Sequence, residues 1–197
     1  MYRIITHIAF VILLSHTFFS KLSAKSGFEI YGDVMQVLPV AMMAYSWYLK
    51  DYQGIKEQAI GAGVTLVSTH IIKEGFVILS RSHPSYARIS QRPNNGSFNG
   101  FPSGHTSWTF SSVGFSLKRY GWKLALPTGI IATSVGISRI YAERHTTTQV
   151  IAGAILGFGT SYLIASKYQN PTQNISFYTD KAFDGTPSYH FQFIKRF

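Results

Sequence analysis

The sequence predicts an all-α fold: a bundle of about six short helices that passes through a membrane several times. Three observations predict it. Charged residues make up 13% of the 197-residue chain, about half the roughly 25% of an average soluble domain. Hydrophobic residues reach 46% and aromatic residues 15%. The uncharged residues are also gathered into long runs: Ile4–Ser20, Val34–Leu49, Gln58–Ile72, Phe101–Leu117, Leu124–Ser138 and His145–Ser166. A spanning helix needs about 20 mostly apolar residues, with a range of roughly 17–25, so several runs lie at or below the lower limit. Lys50, Lys118, Lys123 and Lys167 at their ends extend them by snorkelling to the interface. The alternative reading of this pattern is a compact helical bundle that is soluble or only membrane-associated.

The first run has Arg3 ahead of an apolar core from Ile8 to Leu14 and small or polar residues as far as Ala24. Residues 1–24 therefore read as a signal peptide or as a first transmembrane helix, with bulky Leu22 set against the small-residue cleavage pattern. Residues 25–168 form the helical domain and residues 169–197 a C-terminal tail. Gly153 and Gly157 make a small-xxx-small face, and Gly61-Ala62-Gly63 a weaker one, where helices approach closely. Ser80–Gly100, rich in Ser, Pro, Asn and Gly, is a loop by composition. In the tail, Tyr189, Phe191 and Phe193 alternate with polar neighbours, which predicts a strand or an extended segment.

Lys+Arg 18 against Asp+Glu 8 gives a net charge of +10. Disorder is excluded, because it requires low hydrophobicity and high charge density. With no cysteine there is no disulfide framework, thiolate nucleophile or zinc–thiolate cluster. A basic excess suits nucleic acid, an anionic membrane surface or a phosphorylated substrate. The basic residues are scattered singly between uncharged stretches, which argues against nucleic acid and for a membrane protein.

Three clusters at helix ends carry chemistry. The first is Lys73, followed downstream by Arg92-Pro93. The second is Pro102-Ser103-Gly104-His105, and the third runs from Ser138-Arg139 to Arg144-His145. If all six runs span the membrane, parity puts the three clusters on one side. The other side then holds Arg3, Lys50, Lys56, Lys118, Arg119, Lys123 and the tail lysines, so the positive-inside rule places the clusters outside the cytoplasm. A glycine at a helix N-terminus lets an anion approach backbone N–H groups. Arginine and lysine complement phosphate oxygens. One histidine can attack phosphorus while the other protonates the leaving oxygen. The eight carboxylates offer no pair at metal-ligand spacing beside a histidine, so no metal site is expected.

At these residues the chain resembles the type 2 phosphatidic acid phosphatase superfamily, which includes bacterial membrane lipid phosphatases and vanadium haloperoxidases. The family signature is a lysine followed by Arg-Pro, then Pro-Ser-Gly-His, then Ser-Arg-x5-His-x3-Asp. Pro102-Ser103-Gly104-His105 matches in full, as does Ser138-Arg139 with His145. The resemblance covers roughly Gly32 to Ser166. It implies a metal-independent hydrolase of a lipid phosphate or pyrophosphate that needs no cofactor. His145 would be the nucleophile that forms a phosphohistidine, and His105 the general acid. Lys73, Arg92 and Arg139 would hold phosphate oxygens, with Ser103 and the Gly104 amide completing the cradle. The implied substrates are phosphatidic acid, phosphatidylglycerophosphate, undecaprenyl pyrophosphate and lipid A phosphates. The implied setting is a bacterial inner membrane with the site facing the periplasm, or the periplasm itself after signal cleavage.

Two departures from the signature stand out. Gln149 occupies the position of the family aspartate that orients the nucleophilic histidine. A glutamine oxygen can accept that hydrogen bond but brings no charge. This leaves room for a slow enzyme, for rescue by another carboxylate such as Glu143, or for a phosphate-lipid binder; a lipid phosphotransferase would use the same histidine. In addition, family spacing places the lysine at Ser85. Lys73, Arg81 or Arg88 would then supply that charge.

Overall fold

The computed structural model describes residues 26–169, 174–181 and 185–194. The first uncharged run lies outside the described residues. Helix α1 (Gly27–Val34) starts at Ser26, whose Oγ accepts from Glu29 N at 3.2 Å. A 3₁₀ turn (Met35–Val37) leads into α2 (Leu38–Tyr48), with Pro39 in the first turn, where a missing N–H leaves no hydrogen bond unmade. Asp51 caps α3 (Tyr52–Ser82) by accepting from Gly54 N at 3.0 Å.

Helix α3 runs ten residues past the end of its uncharged run at Ile72 and three into the segment expected to be loop, so Lys73, Glu74 and Arg81 are helical. Isolated charges do not end a helix. Pro84 does, by excluding helical geometry at His83 (φ −136°, ψ 69°). Helix α4 (Gly104–Tyr120) follows the loop, and Gly121 at φ 88° makes the sharp turn into α5 (Trp122–Tyr141). Helix α6 (Thr147–Ile164) opens with a capping box between Thr146 and Gln149. Beyond Lys167, a separate unit holds an antiparallel hairpin of β1 (Asn174–Lys181) and β2 (Pro187–Ile194). The alternation around Tyr189 and Phe191 is thus a strand; in its partner β1 alternation stops at Phe177.

The helical unit is polar inside and apolar outside. Thr65, Thr69, Ser107, Thr109, Ser112, Ser116 and Ser161 are buried, while Val67, Ile71, Ile78, Ile130, Ile155 and Leu163 are exposed. Water would penalise that distribution, whereas lipid favours it: the Thr65–Thr160 and Thr69–Ser107 hydroxyl pairs bond between helices, Thr109 and Ser116 donate to carbonyls of their own helix, and the aliphatic side chains face the tails. Three helices, α3, α5 and α6, are long and apolar enough to cross a membrane. The remaining expected spans are shorter, since α2 has 11 residues and α4 has 17. Helix α4 packs against α2, α3, α5 and α6, so it needs little lipid-facing surface of its own. Glycines set how close α6 comes to it: a Cβ at Gly153 would lie 2.6 Å from Ser103 O, and one at Gly157 would collide with Ser107 O.

One buried ionic knot fastens the end of α4 remote from its histidine. Arg119 donates to both Asp51 oxygens at 2.5 Å and to Glu57 Oε2 at 2.8 Å, and Tyr120 donates to Asp51 Oδ2 at 2.6 Å. Arg119 also reaches Ser166 Oγ at 3.0 Å beyond the end of α6. Fourteen helical residues at about 1.5 Å each separate this knot from His105 by roughly 20 Å. It ties α3, α4 and the exit of α6 together without entering the site.

Candidate active site

All three sequence clusters line one cavity of about 790 Å³. Its walls include Lys73 from α3, Arg92 from the loop, Gly104 and His105 from α4, Arg139 from α5, and His145 from the α5–α6 turn. That turn is tight: Arg139 O accepts from Arg144 N at 2.9 Å and His145 N at 3.2 Å. It sets His145 immediately before the N-cap of α6. His105 is the second residue of α4, so it sits at a helix N-terminus, where backbone N–H groups and the helix dipole favour an anion. A Cβ at Gly104 would meet Lys73 Cε and Thr69 Cγ2 only at 3.9 Å. The protein itself does not demand glycine there, and the open side lies next to Lys73.

Gln149 joins the parts. Its Oε1 faces His145 Nδ1 at 3.0 Å, and its Nε2 donates to Ile89 O at 2.9 Å and Gln91 O at 3.0 Å. Two carbonyls on one side and a backbone N–H from Thr146 at 3.3 Å on the other fix the amide orientation. His145 Nδ1 therefore donates, and Nε2 is the nitrogen left for chemistry. The Gln149 backbone carbonyl accepts from Ser103 N at 2.9 Å, which links the two histidine motifs. Glu143 is exposed, sits at φ 54°, and does not line the cavity, so it supplies no charge to His145.

The expected cations divide unequally. Lys73 Nζ donates to Asn99 O at 2.5 Å, and Arg92 Nε donates to Asn99 Oδ1 at 2.6 Å. Of Lys73, Arg81 and Arg88, Lys73 is the one that lines the cavity; the other two are exposed away from it. Burial, then the neighbouring Arg144 charge, lowers the pKa of Arg92. Arg139 lines the cavity, but its guanidinium turns to α1, donating to Asp33 Oδ1 at 2.8 Å and Glu29 O at 2.5 Å. Ser103 is fully buried, its hydroxyl oxygen takes a hydrogen bond from Thr106 at 3.0 Å, and it is absent from the cavity wall.

Sequence reasoning missed Glu29 and Asp33, which also line the cavity. The signal available was their spacing of four, one helix face, in a chain with only eight carboxylates. Arg144, a member of the third cluster, pairs with Glu29 Oε1 at 2.9 Å.

His145 is 3% exposed. Burial, then the Arg92 and Lys73 charges, push its pKa down to about 3 from 6.5, so the imidazole is neutral at physiological pH. A neutral ring is the form that can attack phosphorus. The same shift sets a stability dependence. Below pH 6.5 the unfolded chain binds a proton that the folded chain refuses until about pH 3. Stability is therefore expected to fall as pH drops through that window, by at most about 1.4 kcal/mol per pH unit. Melting curves in one detergent across this range should show a shallower slope for His145→Gln than for wild type.

The profile of the PAP2 superfamily matches residues 58–173. The chain is 38% identical over 143 residues to a lipid A 4'-phosphatase of Helicobacter pylori, covering 72% of this chain and 71% of that protein. It is 29% identical over 122 residues to a lipid A 1-phosphatase of the same species, covering 62% of this chain and 60% of the relative. A probable diacylglycerol pyrophosphate phosphatase of Schizosaccharomyces pombe is 34% identical over 107 residues, covering 47% of this chain and 37% of that protein. No solved structure matches. The matched profile contains both intact histidine motifs, and the chain belongs to the PAP2 superfamily.

Proposed function

We propose that this protein is a membrane lipid phosphatase that cleaves phosphate from a lipid phosphate or pyrophosphate through a phosphohistidine at His145. The observation that carries the reading is the pair of histidines in one cation-lined cavity, with His145 held by its Nδ1 so that Nε2 is available. His145 Nε2 attacks phosphorus, the bond to the leaving oxygen breaks, and His105 gives that oxygen its proton. Water then attacks phosphorus, forming a phosphorus–oxygen bond as the phosphorus–nitrogen bond breaks and His145 Nε2 leaves, with His105 accepting the water proton. Lys73, Arg92 and the first turn of α4 stabilise charge on the equatorial oxygens. Arg139 takes part once substrate draws a guanidinium N–H from α1.

Lipid A phosphates head the candidate substrates, because relatives from Helicobacter pylori bear that activity in their names. A diacylglycerol pyrophosphate phosphatase relative keeps glycerolipid phosphates among them. The reading includes an inner-membrane location with the cavity open to the periplasmic side. The test is phosphate release by purified protein in detergent with EDTA, from lipid A, phosphatidic acid, diacylglycerol pyrophosphate and undecaprenyl pyrophosphate. Release from at least one of them is expected. Silence across the panel together with vanadate binding would favour a phosphate-lipid binder, a reading that neutral Gln149 keeps in play.

A further inference from the structure

Two histidines that share a cavity but do opposite jobs need opposite resting protonation: the nucleophile neutral, the acid charged. Their described partners differ in that sense. His145 has the neutral amide of Gln149 at 3.0 Å, whereas His105 Nε2 has Asp33 Oδ1 at 2.9 Å. We propose that Asp33, carried on α1, is the positioning residue and charge partner of His105, holding on it the proton that the leaving oxygen receives. The proposal rests on the phosphohistidine reading above. It gives the acid the carboxylate that the family signature gives the nucleophile.

Asp33 is held in place. Its side chain is 15% exposed, and the oxygen that meets His105 also accepts from Arg139 Nη1 at 2.8 Å. Arg139, 3% exposed, is anchored by Nε on Ser138 Oγ at 3.2 Å and by Nη2 on Glu29 O at 2.5 Å. One turn earlier on α1, Glu29 pairs with Arg144 at 2.9 Å. Helix α1 is thus clamped to the end of α5 and to the turn beyond it, with the Asp33 carboxylate directed at His105.

The charges around His105 make such a partner necessary. Lys73, Arg92 and Arg144 line the cavity and, with the Arg139 guanidinium bound to the same Asp33 oxygen, disfavour an imidazolium. Neither His145 nor His70, the latter with Nδ1 on Leu66 O at 3.0 Å, supplies a negative charge. Glu29 and Glu74 are the other carboxylates on the cavity wall, but Glu29 is engaged by Arg144. Asp33 is the carboxylate in hydrogen-bond contact with His105 among the described residues. In the first step the His105 proton passes to the leaving oxygen as the phosphorus–oxygen bond breaks and the phosphorus–nitrogen bond forms. The imidazole recovers a proton from the attacking water in the second step.

A general acid matters when the leaving group is a poor one. The test compares wild type, Asp33→Asn and Asp33→Glu, full-length in detergent, on phosphatidic acid and on p-nitrophenyl phosphate. Without a general acid the first would have to depart as an unstable alkoxide, whereas the second departs as a stable phenolate. Asp33→Asn is expected to lower kcat on phosphatidic acid by about 10²-fold and on p-nitrophenyl phosphate by less than about threefold. KM should stay near its wild-type value on both. The basic limb of the phosphatidic acid profile should move to lower pH, and Asp33→Glu should recover part of the loss. Equal losses on both substrates, or an unmoved basic limb, would overturn the assignment and leave Asp33 a structural residue. If Asp33→Asn does not accumulate as folded protein, the same comparison with Asp33→Glu decides, at smaller amplitude. Wild type that releases phosphate from neither of these nor from lipid A, diacylglycerol pyrophosphate or undecaprenyl pyrophosphate overturns the phosphatase reading itself, an outcome distinct from equal losses in an active enzyme.

Discussion

Replacing His145 with alanine is expected to remove phosphate release almost entirely, by roughly 10⁴-fold or more. The reason is positional. The ring is fixed by Gln149, sits 3% exposed at the cavity wall, and is kept neutral by burial and by the Arg92 and Lys73 charges. Water cannot take over with equal effect, because it would lose the alignment that a tethered nucleophile provides. The measurement is a single-turnover assay with labelled substrate. Wild type should form a protein-bound phosphate that survives alkali and is lost in acid, as a phosphorus–nitrogen bond requires. The variant should form none while still binding vanadate through Lys73, Arg92 and the α4 terminus. Full activity in His145→Ala would sink the assignment of the nucleophile.

Restoring the family aspartate at position 149 is expected to harm the protein rather than speed it up. Gln149 is fully buried, and both hydrogens of its amide go to backbone carbonyls, Ile89 O and Gln91 O. Aspartate is one methylene shorter and has no donor when ionised. Two carbonyls would lose their partners, at about 1–3 kcal/mol each, and a buried charge would face them. A loss on the order of 3 kcal/mol corresponds to a Tm lower by about 10 °C. Gln149→Glu keeps the reach to His145 Nδ1 but loses the same donors, so it should also melt early. Turnover in both variants should fall, because the loop that carries Arg92 is anchored through this amide. A faster Gln149→Asp with unchanged Tm would mean that charge on His145, and not the loop anchor, limits the native enzyme.

These expectations differ in how far the sequence alone could support them. His105 and His145 were legible because each lies in a short motif whose spacing is local: a turn before a helix, or two residues flanking one tight loop. The helices were legible from charge-free runs, though α3 overran its own because Lys73 and Glu74 face a cavity that no local pattern records. The hairpin was half legible, since β2 alternates along its length while alternation in β1 stops at Phe177. Gln149 was visible as a departure, but its two backbone acceptors belong to a loop near residue 90 and made no mark on the sequence around it.

The sequence by itself determined the all-α class, the polar and apolar segments, the two histidine motifs and the family, because each depends on residue types at short separations. Tertiary structure alone decided which charges line the cavity. It put Lys73 rather than Arg81 or Arg88 in the cavity, turned Arg139 toward α1, and buried Ser103 under Thr106. It also brought Asp33 to His105 across 72 positions and to Arg139 across 106. Contacts at that separation follow from how helices pack, and packing here is set by the glycines of α6 and the knot around Arg119. Charge pairing acts through distance in space, which one-dimensional spacing does not encode.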